Sequence, residues 1–410
     1  MILETIKNQH RLLIAGLAQD DVGLSNVLNA IVEELKNSWS IMVFAYGLED
    51  KSYKSVEHVK TELSILPNWE KSTQIHFKTV INDFKPDVIL IIGSPWKTSD
   101  FTAVAAKYKL AKLAVYMPVE GRPVDKRIVD SLAGVDLCIT YTEFAKSALN
   151  DLRIDNNLKL ISIGHGHDTY YKPITTSNLP AELGFRQTLR EKLFPNHPEY
   201  WKRPMLLNSN RSYYRKRLDL TIKGFALALK EIDASLYLNI ARLKRYERSK
   251  LEALIKSLGI ENNVMLNTLN GHVQSIPKEQ LLKLYNTCDI GITTAMGEGW
   301  GLCVFEHAAT GAAQIVPDHS SFSENWPNQT ALKFKAETPV YVEAEAAEMY
   351  EGKPEAISST IKQITANTSL IDLYGQNAFE HVNNEKYKWS TIGANFDSAL
   401  KFLVNDVVLN

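Results

Sequence analysis

The sequence predicts an α/β protein with two doubly wound parallel sheets. Three observations carry this: a length of 410 residues, short continuous apolar runs rich in β-branched residues, and helical periodicity between those runs. One hydrophobic core stops growing near roughly 250 to 300 residues, so a chain of this length divides into two domains. Strands that are apolar on both sides, with helices between them, describe a parallel sheet covered on both faces.

In chain order, "RLLIAGL" (11–17) leads into the helical "VGLSNVLNAIVEELK", and "IMVFAYG" (41–47) follows. The strands "DVILIIG" (87–93), "KLAVYMPV" (112–119), "DLCITYT" (136–142) and "LKLISIG" (158–164) continue the series. Asp136 marks a strand entry, and Thr142 with Glu143 marks the entry to the helix "FAKSALND". This half ends near Pro173, giving a first domain over 1–173. From 174 to 203 the text turns to Pro, Asn and Thr around one helical piece, "LGFRQTLREKL", which reads as a linker.

The alternation then restarts over 204–387. "PMLLNSN" (204–210), "ASLYLNIAR" (234–242), "NNVMLN" (262–267), "DIGITTA" (289–295) and "AAQIVP" (312–317) read as strands, with helices such as "RLDLTIKGFALALKEI" and "KEQLLKLYNTC" between them. Helical periodicity dominates from about Pro354 to Val404. A last helix over about 388–405 is long enough to cross back and cover the first domain.

Composition narrows the function. Hydrophobic residues at 45% and charged residues at 23% are ordinary soluble usage, and no apolar run approaches the roughly 20 residues of a membrane span. The amino terminus carries a glutamate before any apolar block and no small-residue cleavage site, so the expectation is a cytoplasmic protein. Cys138, Cys288 and Cys303 lie far apart in apolar contexts and read as core thiols rather than a disulfide framework or zinc cluster. A net charge of −1 lacks the basic excess of a dedicated nucleic-acid binder and favours a small-molecule partner.

The most informative stretch is "TTAMGEGWGLCVFEHAATG", Thr293 to Gly311. A strand ends, a turn carries Gly297, Gly299 and Gly301, and a helix begins that stops at Gly311. Alternate glycines permit positive φ and close approach of a ligand to the main chain, while the first-turn amides of the helix favour an anion such as phosphate. Glu306 falls about one turn into the helix, where its carboxylate can accept two hydrogen bonds from a vicinal diol such as a ribose. Glu298 sits in the turn and can reach a second polyhydroxylated group. The dinucleotide fingerprint G-x-G-x-x-G is not matched, which argues against an oxidoreductase.

Those residues resemble the E-x7-E segment of retaining glycosyltransferases with the GT-B fold, specifically family 4. "IGHGHDTYYKP" (163–173), "NSNRSYYRKRLDLTIKGFALAL" (208–229) and "YNTCDIGITTA" are similar to further family elements in the same order. The resemblance implies two Rossmann-like domains facing across a cleft, and transfer of a sugar from a UDP- or GDP-linked donor to an acceptor hydroxyl with anomeric configuration kept. It places Arg211 and Lys216 on the donor diphosphate, Glu306 on the ribose, and Glu298 with the Gly299, Trp300, Gly301 and Leu302 segment on the transferred sugar.

Such a cation pair replaces a metal ion, and no Asp-x-Asp triplet occurs in the chain; no cofactor and no metal site are expected. Arg215 and Arg217 depart from the family pattern and add two guanidiniums to the same loop. Gly23, in "DDVGLSN", stands where the family has a phosphate-facing glycine loop. Glu120, in "VYMPVEGRP", is expected on the acceptor side or paired with Arg122, and His165 and His167 are expected to be structural. The implied acceptor is a glycan, a lipid-linked or a small-molecule hydroxyl, which leaves room for peripheral contact with the inner face of a membrane. Two alternatives stay open: a sugar phosphorylase on the same fold, and a non-catalytic nucleotide-sugar-binding protein.

Overall fold

The computed structural model describes residues 9–18, 23–47, 56–64, 71–108, 111–152, 158–175, 183–241, 243–267 and 276–405. The chain forms two compact units: Met1–Gly166 with Glu385–Asn410, and His167–Asn384.

The first unit runs β1 (Arg11–Leu17), α1 (Gly23–Leu35), β2 (Ser40–Tyr46), β3 (Lys60–Leu63), α2 (Lys71–Phe84), β4 (Val88–Ile92), α3 (Pro95–Ala105), β5 (Lys112–Met117), α4 (Lys126–Asp130), β6 (Leu137–Thr140), α5 (Glu143–Asn150) and β7 (Lys159–Ser162). All seven strands are parallel, in the order β3-β2-β1-β4-β5-β6-β7. β4 is buried along its whole length, as the run Val-Ile-Leu-Ile-Ile requires of a strand covered on both faces. The expected helix entry is present: Thr142 caps α5 by accepting from the Ala145 amide at 3.1 Å. The polar edge strand β3 was not read from the sequence.

The second unit runs α6 (Leu183–Leu193), β8 (Met205–Arg211), α7 (Leu218–Ala228), β9 (Ser235–Ala241), α8 (Arg245–Ser257), β10 (Val264–Leu266), α9 (Lys278–Thr287), β11 (Ile290–Ile292), α10 (Leu302–Ala308), β12 (Ala313–Pro317), α11 (Ser320–Asn325), β13 (Leu332–Phe334), β14 (Ala336–Val342), β15 (Ala347–Gly352), α12 (Pro354–Thr365) and α13 (Thr368–Val382). Six parallel strands are ordered β10-β9-β8-β11-β12-β13, and β14 pairs with β15 as an antiparallel hairpin. The strands β13, β14 and β15 were not anticipated.

The stretch over 174–203, read as a linker, supplies α6, which is bolted to the second unit. Two fully buried arginines do this. Arg190 pairs with Asp289 at 2.8 Å, both side chains at 0% exposure, and also donates to the Thr287 and Trp201 carbonyls. Arg186 donates to the carbonyls of Tyr285, Cys288 and Thr310, satisfying acceptors left over near the ends of α9 and α10. Asp289 also accepts from the Met205 amide at 2.7 Å, so one carboxylate ties the start of β8 to α6.

The last helix, α14 (Trp389–Asn405), belongs to the first unit and lies along α1. A Cβ on Gly393 would stand 2.3 Å from Glu34 Cβ, so only glycine allows the two helices this close an approach. Phe396 packs edge-on against Tyr116, and the Trp39 indole donates to Asp397 at 2.8 Å. Among the described residues no helix is long and apolar enough to cross a membrane.

Candidate active site in the second unit

The strand order of the second sheet reverses at β8 and β11, which lie side by side while their following strands go to opposite flanks. Loops that leave such a pair at the carboxyl edge part in opposite directions and open a crevice for ligands. The cationic loop after β8 and the glutamate turn after β11 are those two loops.

The sequence forces the cationic loop to fold back. After Arg211 the chain makes a 3-10 turn over Tyr214–Lys216, and Arg217 takes a left-handed backbone, φ 44°, before α7 begins. The Met296 amide donates to the Arg215 carbonyl at 2.7 Å, and the Thr294 hydroxyl lies 2.8 Å from the Arg217 carbonyl. Beneath them a buried polar chain links Asn210 to Asn208, Asn208 to Thr221 and Thr221 to Thr294, each within 2.8 Å. The two loops are thus fixed to each other before any ligand arrives.

Four cations of this loop meet different fates. Lys216, 7% exposed, forms an ion pair with Glu298. Arg215 reaches the same Glu298 oxygen at 3.3 Å, the Gly297 carbonyl at 2.8 Å and Glu345 at 3.4 Å. Arg217 is bidentate on Asp219, at 2.9 and 3.0 Å, and is paired with Glu351. Arg211 is half-buried and has no hydrogen-bond or ion-pair partner for its guanidinium among the described residues. Burial opposes ionisation of Glu298, but the charges of Lys216 and Arg215 and their hydrogen bonds outweigh it and hold the carboxyl down at about 2.

Glu306 behaves in the opposite way. Its carboxylate accepts from the Tyr285 hydroxyl at 3.1 Å and has no cation in contact, so burial pushes it up to about 8. Two carboxylates eight residues apart therefore carry different charge at neutral pH, one ionised and one largely protonated. Cys303, between them in α10, is pushed up to about 12 by burial and is unreactive as a nucleophile.

Of the three turn glycines, Gly301 alone adopts the positive φ that all three permit, at 94°, and it caps α10. An added Cβ on Gly301 would also stand 2.9 Å from the Phe322 ring. Leu302 is the first residue of α10. Trp300 is 6% exposed and stacks on Phe305 at 5.2 Å and 20°, a packing role that closes the turn. Gly311, with φ 82°, ends the segment as expected of a helix terminator.

The remaining candidates belong to the first unit. Gly23 is the first residue of α1, and its neighbours Asp20, Asp21 and Val22 lie outside the described residues. Glu120 follows β5, and its charge adds to burial in pushing the Tyr141 hydroxyl up. Arg122 is bidentate on Asp151, at 2.6 and 3.0 Å. His165, buried with its ring 2.7 Å from the Tyr116 hydroxyl, is lowered to about 3, and burial also lowers His167, itself buried. Among the described residues no three His, Cys, Asp or Glu stand together as a metal site.

Sequence reasoning missed Tyr285, Glu345 and Glu351. Tyr285 sits in an amphipathic helix with nothing local to distinguish it from a core tyrosine. The two glutamates lie in a polar stretch whose hairpin was not seen.

Comparison with known proteins agrees with this geometry. The family model described as "Glycosyl transferases group 1" matches residues 189–330, which contain every candidate of the second unit. A glycosyltransferase from Rickettsia africae superimposes with a TM-score of 0.73 at 15% identity, over 97% of this chain and 99% of that one. A sucrose-phosphate synthase from Thermosynechococcus elongatus gives 0.73 at 16% identity, over 97% and 100%. Anabaena HepE in complex with UDP and glucose gives 0.70 at 14% identity, over 96% and 100%. No curated protein sequence matches the chain. At these identities the likeness speaks for the fold, and the chain has the GT-B fold of two Rossmann-like α/β domains.

Proposed function

We propose that the protein is a retaining glycosyltransferase that moves a sugar from a nucleoside-diphosphate donor to an acceptor hydroxyl without a metal ion. The observation that carries this reading is the Lys216–Glu298 ion pair at the β8/β11 switch point, with Arg211, unpartnered among the described residues, at the end of β8 and Glu306 about one turn into α10. The match to the group 1 model over the same residues supports it. So does the chemistry of similar folds: HepE is solved with UDP and with UDP-glucose, and a similar Burkholderia vietnamiensis enzyme is a UDP-forming trehalose-phosphate synthase. On that ground the donor is read as UDP-linked, with GDP as the second choice.

In this reading Arg211 and Lys216 hold the diphosphate. Two guanidinium or ammonium charges against a departing diphosphate do the work that a divalent ion does elsewhere. Lys216 must exchange Glu298 for phosphate as the donor enters, which releases Glu298 to accept from hydroxyls of the transferred sugar. The main chain of Gly299 to Leu302 lines the same sugar, with Trp300 buttressing the turn. Glu306 accepts from the ribose diol. In this reading Gly23 is a donor-binding and Glu120 an acceptor-binding residue.

The bond between the anomeric carbon and the β-phosphate oxygen breaks, and the acceptor oxygen forms its bond on the same face. Its proton passes to a β-phosphate oxygen. Glu298, ionised and engaged with two cations, is a hydrogen-bond acceptor for substrate rather than a nucleophile in this scheme.

A panel of UDP- and GDP-linked sugars, each scored by the rise in melting temperature, tests donor binding and names the nucleotide. A donor at 100 times its dissociation constant stabilises the fold by about 2.7 kcal/mol, easily seen in a melt. No rise with any member of the panel overturns the reading.

A further inference from the structure

Four cations crowd the loop after β8, and a diphosphate carries charge for fewer. The β14–β15 hairpin answers which of them serve. It is docked onto the glutamate turn by the Tyr350 amide, which donates to the Met296 carbonyl at 3.0 Å. Met296, Val342 and Met349 form a small apolar cluster under that contact. From this platform Glu345, at the hairpin's tip, pairs with Arg215, and Glu351, on β15, pairs with Arg217. These contacts are largely shielded: the arginine side chains are 13% and 15% exposed, the glutamates 30% and 25%.

We propose that the hairpin positions the donor site by electrostatics, with Glu345 and Glu351 holding Arg215 and Arg217 off the diphosphate so that Arg211 and Lys216 alone meet it. This rests on the glycosyltransferase reading above. The physical need is product release. A guanidinium forks onto phosphate in bidentate fashion, and four such charges in one loop would bind a nucleoside diphosphate tightly as product. Pairing two of them with carboxylates on a separate element keeps the loop folded, because like charges are neutralised, and keeps the product's dissociation fast. Glu345 and Glu351 are positioning residues here: they act through the arginines and need not touch substrate.

The test measures dissociation constants of UDP and GDP by calorimetry at several salt concentrations, for wild type and the Glu345→Gln, Glu351→Gln double variant. Relieved of their hairpin carboxylates, with Arg215 keeping Glu298 and Arg217 keeping Asp219, the guanidiniums should tighten binding by about threefold or more and steepen its salt dependence, while kcat falls as product leaves slowly. Adding Arg215→Gln and Arg217→Gln should restore wild-type affinity and salt dependence. In an otherwise native protein, Arg217→Gln, which leaves Glu298 and its partners in place, should keep the dissociation constant within about twofold, while Lys216→Gln loses most of the binding.

Unchanged or weaker binding in a folded double variant overturns the proposal. So does an Arg217→Gln loss as large as that of Lys216→Gln, and this arm decides the matter if the double variant does not fold. A wild-type protein that binds neither UDP nor GDP instead overturns the donor reading, and the role of the hairpin falls with it.

Discussion

The two sheets share one topology and differ in what they place at its switch point. In the first unit β1 and β4 are the neighbours where strand order reverses, and β4 runs out into Gly93, Ser94 and Pro95, close to the Tyr46 hydroxyl. In the second unit β8 and β11 hold the same place, and the segment after β8 sets Arg215, Lys216 and Arg217 against Asp219, Glu298, Glu345 and Glu351, with Arg211 at the end of β8. The backbone plan supplies a crevice in both cases; only the residues after the strands decide whether it attracts an anion.

The largest effect that tests this contrast is at Lys216. Lys216→Ala should cut turnover by about 100- to 1000-fold with a much smaller change in melting temperature, read by steady-state kinetics alongside a thermal melt. Near-normal turnover would detach the chemistry from the β8 loop altogether.

The next effect is the pH profile of nucleotide affinity. If the ribose diol binds ionised Glu306, a free-state value of about 8 means that binding releases a proton below that pH. The dissociation constant should then fall by up to about tenfold per pH unit from pH 6 to 8 and flatten above. In Glu306→Gln the slope should vanish. The same shift bears on folding with a definite sign: a carboxyl raised in the folded state costs stability as pH climbs from its unfolded value, about 4.3, through 8.

A smaller effect belongs to the turn. Gly301→Ala places a Cβ at φ 94° and against Phe322, so the melting temperature should drop by an amount equivalent to roughly 1–2 kcal/mol, and donor affinity should weaken with it. Smallest is the counterpart in the first unit. Gly23 is the first residue of α1, and Gly23→Ala should weaken donor affinity by less than about tenfold in the same titration. A larger loss would make the first unit an equal partner in phosphate binding and erase the contrast.

Much of this organisation is legible in the sequence because it is written in apolar runs. β1, β2, β4 and β5 are nearly continuous hydrophobic segments, and β8, β9 and β12 carry buried apolar runs interrupted by Asn208, Asn239 and Gln314, as strands covered on both faces require. The edge strand Lys60–Leu63 and the hairpin, with Pro339 and several glutamates, lack that signature; their hydrogen bonds are made by polar stretches that read as loops. The helix over Leu183–Leu193 looked like a linker because its arginines normally mark a solvated face. Arg186 and Arg190 are buried only because distant carbonyls and Asp289 are there to meet them, and that is tertiary information. The candidate site divides in the same way. Glu298, Glu306, Arg211 and Lys216 stand out by spacing, whereas the fates of Arg215 and Arg217 depend on glutamates more than a hundred residues away.

The helix that passes over α1, made tight by Gly393, has a consequence for biosynthesis. α14 is translated after the whole of the second unit, yet it covers part of the first unit's surface. On a ribosome adding about 5–20 residues per second, the amino-terminal lobe waits on the order of ten seconds or more with that apolar flank bare. A chaperone present during translation has its natural target there, and a stop codon placed before Trp389 would leave the earliest-made lobe, rather than the latest, as the one that fails.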